Sequence, residues 1–180
     1  MTAARERILE SYADLLAAEG ERHATVEAIA AHAGVSKGGL LYHFPTKEQL
    51  SDALCERLLT LAADDVRAMQ SAAEGPARHY VRTSMYEGTE LDRTIVAVSR
   101  LQQVGNARAR AAIEEVSGNW LAVLHDALGD LATARAIKLI GDGVYYNALH
   151  RAVAGEPNSP VRDDDLLAVV DRITALTRDT

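Results

Sequence analysis

The stretch TVEAIAAHAGVSKGGLLYHFPTKEQL, residues 25–50, decides the fold. After Thr25, an N-cap residue type, the apolar Val26, Ile29, Ala30 and Ala33 recur at helical spacing as far as Gly34. Ser36 caps a second short helix, which Pro45 stops. Between the two lies only Gly34-Val35-Ser36, the short glycine-containing connection of a helix-turn-helix. Ala30 is small where the helices cross, Gly34 can take a positive φ, and Val35 can plug the angle between them. Ile29, Leu40, Leu41 and Phe44 supply apolar anchors. This leaves Lys37, Gly38, Gly39, Tyr42 and His43 for the outer face.

Working outward, the pattern stays helical. Ile8, Leu9, Tyr12, Leu15 and Leu16 form one amphipathic stripe before Gly20. Thr46-Lys47-Glu48-Gln49 is a capping-box pattern that opens a helix through Leu50, Leu54, Leu58 and Leu61 to about Met69. Further on, Gly75-Pro76, Gly88, Gly105-Asn106, Gly129-Asp130 and the turn-rich 155–160 cut the chain into pieces of helical length. No strand alternation and no internal repeat is evident. The expectation is an all-α fold of about nine helices, with a head over residues 1–46 and a larger helical domain over 47–180. The helix near 131–154 carries apolar residues on more than one face and is expected to be buried on two sides.

Composition narrows the classes. Of 180 residues, 48% are hydrophobic but only 4% aromatic, so aliphatic side chains and alanine must build the core, which favours helices. The single cysteine, Cys55, permits no intrachain disulfide or cysteine-based zinc site, and reads as a packed thiol rather than a redox sensor. The N-terminus lacks the apolar stretch of a signal peptide, and no run approaches the ~20 residues of a membrane span. A cytoplasmic, non-membrane protein is therefore expected. The six histidines show no metal-ligand spacing, and no nucleophile elbow, phosphate loop or paired-carboxylate motif occurs; no catalytic residue, metal or cofactor is assigned.

The outer face of residues 36–47 suits DNA. Each glycine inside a helix costs up to about 1 kcal/mol relative to alanine, so adjacent Gly38 and Gly39 call for a reason such as close approach to a groove wall. Tyr42 offers a hydroxyl, and Lys37 and His43 offer cationic or donor groups. Lys47 and Thr25 stand at helix starts, where the dipole favours phosphate. The net charge of -7 speaks against nucleic acid, and residues 1–50 hold five basic and seven acidic residues. Yet the 16 residues from His32 to Lys47 contain no carboxylate, and the acids are expected on helices facing away from DNA. An ordinary αα-hairpin shares the spacing; Tyr-His-Phe, the lysine after Pro-Thr and the paired glycines favour DNA.

The segment resembles the N-terminal helix-turn-helix of TetR/AcrR-type transcriptional regulators. The likeness is carried by Thr25-Val26, Ile29-Ala30, Ala33-Gly34-Val35-Ser36-Lys37, Leu41-Tyr42-His43-Phe44 and Lys47. It covers about 45 residues, and Gly39 stands where many members have threonine or alanine. The resemblance implies that Ser36 to Phe44 is the recognition helix, that Lys47 and Thr25 hold phosphates, and that an inducer pocket lies among helices four to eight. Candidate effector residues in the remaining chain are Met69, Tyr86, Gln102 and Trp120, then Asp142, Tyr145, Tyr146 and Asn147, with Trp120 and Tyr146 foremost. Asp142, inside an apolar helix, needs a partner, either a helix-to-helix hydrogen bond or a cationic ligand.

A helix-turn-helix monomer touches little DNA, and two-fold dimers match half-sites ~34 Å apart. The last two helices are expected to form the homodimer interface, with Gly141, Ala148 and Ala152 permitting close approach and Leu166, Val170 and Ile173 extending the apolar stripe. The sequence thus points to a dimeric, ligand-responsive regulator, most simply a repressor, that binds a palindromic operator and is released by a small, mostly apolar effector, cationic ones tolerated or preferred. The other reading is a helical small-molecule-binding protein or enzyme that keeps the helix-turn-helix only as scaffold.

Overall fold

The computed structural model describes residues 3–154 and 164–178, and all its regular structure among them is helical. Nine helices follow in order: α1 (Ala3–Glu19), α2 (Val26–His32), α3 (Lys37–His43), α4 (Lys47–Ser71), α5 (Pro76–Thr83), α6 (Glu90–Gln103), α7 (Ala107–Leu128), α8 (Leu131–Val153) and α9 (Asp164–Arg178). The turn-rich stretch at 155–160 lies outside the described residues. Their starts are fixed chemically. Thr89 and Asp92 form a reciprocal capping box on α6, and Asp130 accepts the Thr133 amide at the start of α8. Asn106 accepts the Ala109 amide at α7, and the Thr46 hydroxyl accepts the Gln49 amide at α4.

By packing, the chain divides into two compact units, residues 1–62 with 88–116 and residues 63–87 with 117–180. In the first, α1 packs on α2, α3 and α6. Ile8, Leu9, Tyr12 and Leu16 of α1 are buried together with Ile29, Leu40, Leu50, Leu54 and Leu58. Each such side chain contributes roughly 1.5–3 kcal/mol on leaving water, so this aliphatic face holds the short α2 and α3 in place. The buried Tyr12 hydroxyl shares a 2.9 Å hydrogen bond with Ser51, and burial pushes its pKa up to about 12. Cys55 is fully buried, and desolvation raises its thiol to about 11, the packed thiol expected of it.

In the second unit α5 packs on α8 and α9. Met69, Tyr80, Val81, Leu124, Ile137 and Val170 form its buried core, with Trp120, Ile140, Leu166 and Ile173 packed against it. Gly141 of α8 has a specific task here: a β-carbon there would lie 2.5 Å from Cε1 of Tyr80 and 2.8 Å from the Ser84 hydroxyl. The close approach expected of Gly141 is thus made to α5 of the same chain. The expected two-sided burial of α8 is not found within the chain. Ala134, Ile137, Gly141 and Ala148 face the core, whereas Leu139 is 71% and Tyr146 61% exposed on the other side. Periodicity counts apolar positions but does not say which of two faces a single chain can cover.

Candidate functional site

The helix-turn-helix is built as its residues dictate. The Thr25 hydroxyl oxygen accepts the Ala28 amide at 3.1 Å, and that of Ser36 accepts the Gly39 amide at 3.0 Å. As caps, both oxygens are used inward, so only their O–H protons can serve a phosphate. Gly34 sits at φ +65°, and the Val35 amide closes the turn on the Ala30 carbonyl at 3.0 Å. Ile29, Ala30, Leu40 and Phe44 are buried, and the Arg5 guanidinium lies 4.7 Å from the centre of the Phe44 ring. Arg5 therefore braces the base of the recognition helix from α1.

On the outer face Tyr42 is 83% exposed, with the half-buried His43 ring edge-on to it at 5.2 Å. The two glycines differ. A β-carbon at Gly39 would sit 3.2 Å from the Ser36 hydroxyl, crowding the cap, while one at Gly38 would meet nothing closer than 4.0 Å. Gly39 thus has a reason inside the fold. At Gly38 nothing in the chain would crowd a side chain, although glycine carries a helix penalty there.

The carboxylate-free window of the sequence is not carboxylate-free in space. Glu27 of α2 reaches the Lys37 ammonium at 2.6 Å. Glu21, in the loop before α2, takes Lys47 on its carboxylate at 2.8 Å and on its backbone carbonyl at 3.1 Å. Lys37 holds the Glu27 carboxyl below its ordinary pKa, chiefly through that hydrogen bond. The expectation that the acids face away fails at these two residues. They lie 10 and 26 positions from their lysines, so a contiguous charge count does not see them.

Of the eight expected effector residues, Gln102 belongs to the first unit and the other seven to the second. Met69 is core. Trp120 is half-buried, donates its indole N–H to Asp65 at 2.8 Å and lies 6.0 Å from Tyr80. Asp142 finds its partners inside the chain: the Tyr80 hydroxyl donates to one oxygen at 2.7 Å and Lys138 to the other at 2.7 Å. Burial, then Asp142, drives the Tyr80 hydroxyl pKa far upward, so it remains a donor. Tyr145 packs edge-on against Tyr86 at 6.2 Å. Tyr146 and Asn147 are exposed on α8, apart from these interior contacts. Asp65 was not singled out from the sequence, because its role depends on a partner 55 residues away.

Among the expected dimer residues Ala148 and Val170 are buried in the chain, as is Gly141, while Ala152, Leu166 and Ile173 are partly buried. The open large apolar positions of α8 are Leu131 at its start and then Leu139 and Tyr146, the last two flanked on the same exposed row by Ala136 and Gly143. Two hollows occur in the first unit. One of about 290 Å³ is walled by Glu10, Asp14, Arg57, Glu90 and Arg93, and one of about 340 Å³ by Glu21, Lys47, Ser51 and Leu101, among others. Neither is lined by an expected effector residue.

A capped, glycine-turned pair of short helices that presents an exposed tyrosine and lysines, carried on an all-helical chain, defines a helix-turn-helix DNA-binding protein. Residues 8–54 match the family model of bacterial regulatory proteins, tetR family. The fold of the whole chain is shared with solved structures. The multidrug binding protein EbrR, complexed with malachite green, is 21% identical with a TM-score of 0.71, over 96% of this chain and 98% of that one. SCO7518 of Streptomyces coelicolor A3(2), a proposed transcriptional regulator, is 26% identical with a TM-score of 0.62, over 96% and 99%. The fatty acid degradation regulator FadR of Bacillus halodurans is 19% identical with a TM-score of 0.64, over 98% and 95%. None of the curated proteins matches the chain in sequence at a significant level. Residues 8–54 thus match the tetR-family model over the helix-turn-helix, on a chain whose fold is that of these solved structures.

Proposed function

We propose that the protein is a ligand-responsive transcriptional repressor that binds a palindromic operator as a homodimer. Residues 1–46 act as the reading head and 47–180 as the effector-binding and dimerisation part. The observation that carries this reading is the outer face of α3, where an exposed Tyr42 shares a short helix with Gly38, at which a β-carbon would meet nothing closer than 4.0 Å. Ser36 to Phe44 enters the major groove; Gly38 and Gly39 let the backbone approach, and Lys37, Tyr42 and His43 meet bases and phosphates. Thr25 and Lys47 hold phosphates at the flanks.

The open row of Leu139 and Tyr146 on α8, with small neighbours, favours a second copy of α8 and α9 as its cover. The effector is a small, mostly apolar molecule seated among the aromatic residues around Trp120 and Tyr145, and the Asp65 carboxylate beside Trp120 favours a cationic one. EbrR's complex with malachite green is consistent with that chemistry on this fold.

The test is binding to DNA from upstream of the protein's own gene. Affinity should fall steeply with salt and drop on Tyr42→Ala or Lys47→Ala with the fold intact. Salt-insensitive binding, or none, would leave the scaffold reading in its place. By linkage, an effector that weakens DNA binding must itself bind more weakly on the operator by the same factor; equal effector affinity on and off DNA would exclude the mechanism.

A further inference from the structure

The two lysines of the reading head, two of only three in the chain, are each held by a carboxylate of the same unit. We infer that Glu27 and Glu21 are built-in competitors of DNA: they contend with phosphates for Lys37 and Lys47 and so lower the sequence-independent part of DNA affinity. This rests on the reading of the head as a DNA binder.

The physical reasoning starts from what each group contributes. A lysine on phosphate gives affinity that no sequence alters, through release of counterions from the duplex. Base contacts carry the discrimination, and on this face Tyr42, Gly38 and His43 have no carboxylate partner among the hydrogen bonds and ion pairs that hold the head. A carboxylate on each lysine therefore subtracts from the sequence-independent part and leaves the sequence-reading part untouched. Affinity for a duplex of any sequence therefore falls by the same factor, and the carboxylates set how tightly the head holds DNA that offers it no base contacts.

The two pairs differ in a way that can be measured. Lys37 and Glu27 are exposed at 58% and 65% of their side chains and are joined by one contact, so the pair exchanges readily with solvent and with phosphate. Lys47 and Glu21 are only 29% and 32% exposed, and Lys47 is also held by the Glu21 carbonyl. Removing the Glu27 carboxylate releases its lysine completely. Removing that of Glu21 leaves the carbonyl tether in place.

The experiment is anisotropy titration of a labelled random-sequence duplex of fixed length, repeated across a salt series, for the full chain and its Glu27→Gln and Glu21→Gln variants. Each lysine fully released steepens the salt slope by about 0.9, equivalent to about threefold in affinity for each fourfold change in salt. Glu27→Gln should therefore bind random DNA about three- to tenfold more tightly at low salt, with a steeper slope, and Glu21→Gln should gain less. Removing any acid from the head weakly favours DNA, so the deciding measurement is a double-mutant cycle with Lys37→Met. Competition for Lys37 predicts that the gain from Glu27→Gln disappears in the Lys37→Met background. An equal gain in both backgrounds, or none in either, overturns the inference while the wild-type salt dependence still stands. Absence of any salt-dependent binding by wild type and variants alike would instead remove the DNA reading itself. Thermal unfolding of each variant confirms that the comparison is between folded proteins.

Discussion

Tyr42, in the first unit, is 83% exposed, whereas Tyr80, in the second, is 7% exposed with its hydroxyl held by Asp142. The same side chain serves opposite ends in the two regions. The polar groups on the outer face of α3 are open or held by a cap or a single ion pair, so changing them should alter what the protein binds more than whether it folds. Polar groups of the second unit face inward and are tied to partners far away in sequence, so changing them should be felt first as lost stability.

The largest effect expected from this contrast is at Gly141. Gly141→Ala places a β-carbon against the Tyr80 ring and should destabilise the protein by about 1–3 kcal/mol in urea unfolding. An unchanged midpoint would mean that α5 and α8 are not packed as closely as this. Next comes Tyr42→Ala, for which DNA affinity should drop about tenfold while the thermal midpoint stays put, the converse of Gly141→Ala. Tyr80→Phe removes one hydrogen bond from Asp142 but leaves Lys138 on it, and about 1 kcal/mol of stability should go. Smaller, and of opposite sign, is Gly38→Ala. With no neighbour to crowd, it should stabilise α3 by up to about 1 kcal/mol and weaken DNA binding, so the two readouts move apart.

The smallest effect concerns acid. Glu74, in the second unit, is held by Arg82 with Arg78 and His79 nearby, and the Arg82 hydrogen bond keeps its carboxyl below the usual range. A lowered native pKa means that its stabilisation is complete above the ordinary carboxylate value and vanishes as pH falls through the lowered one. Thermal midpoints of wild type and Glu74→Gln should differ slightly at neutral pH and converge once the pH has fallen through the lowered pKa of Glu74.

The head was legible because its determinants are local. Thr25 and Ser36 act three residues ahead, and Gly34 shapes the turn in which it sits. Helix boundaries in the second unit were legible for the same reason, through Gly129-Asp130 and its neighbours. What joins its helices was not. Tyr80 to Asp142, Trp120 to Asp65 and Arg78 to Asp171 span 62, 55 and 93 residues, and no periodicity reports such a pairing. Gly141 and Tyr146 show the ambiguity at close range. Both lie on one apolar-looking helix, yet one packs against α5 and the other faces outward. Charge behaved likewise: counting along the chain isolated Lys37 and Lys47, and only the fold brought Glu27 and Glu21 beside them.

The lone buried thiol of Cys55 makes the first unit its own clock. The only sulfhydryl in the chain sits wholly inside that unit, with its pKa pushed up to about 11, so an alkylating reagent can consume it only when the surrounding helices part. The rate of that single irreversible event, followed by mass, counts openings of the reading unit without any added probe.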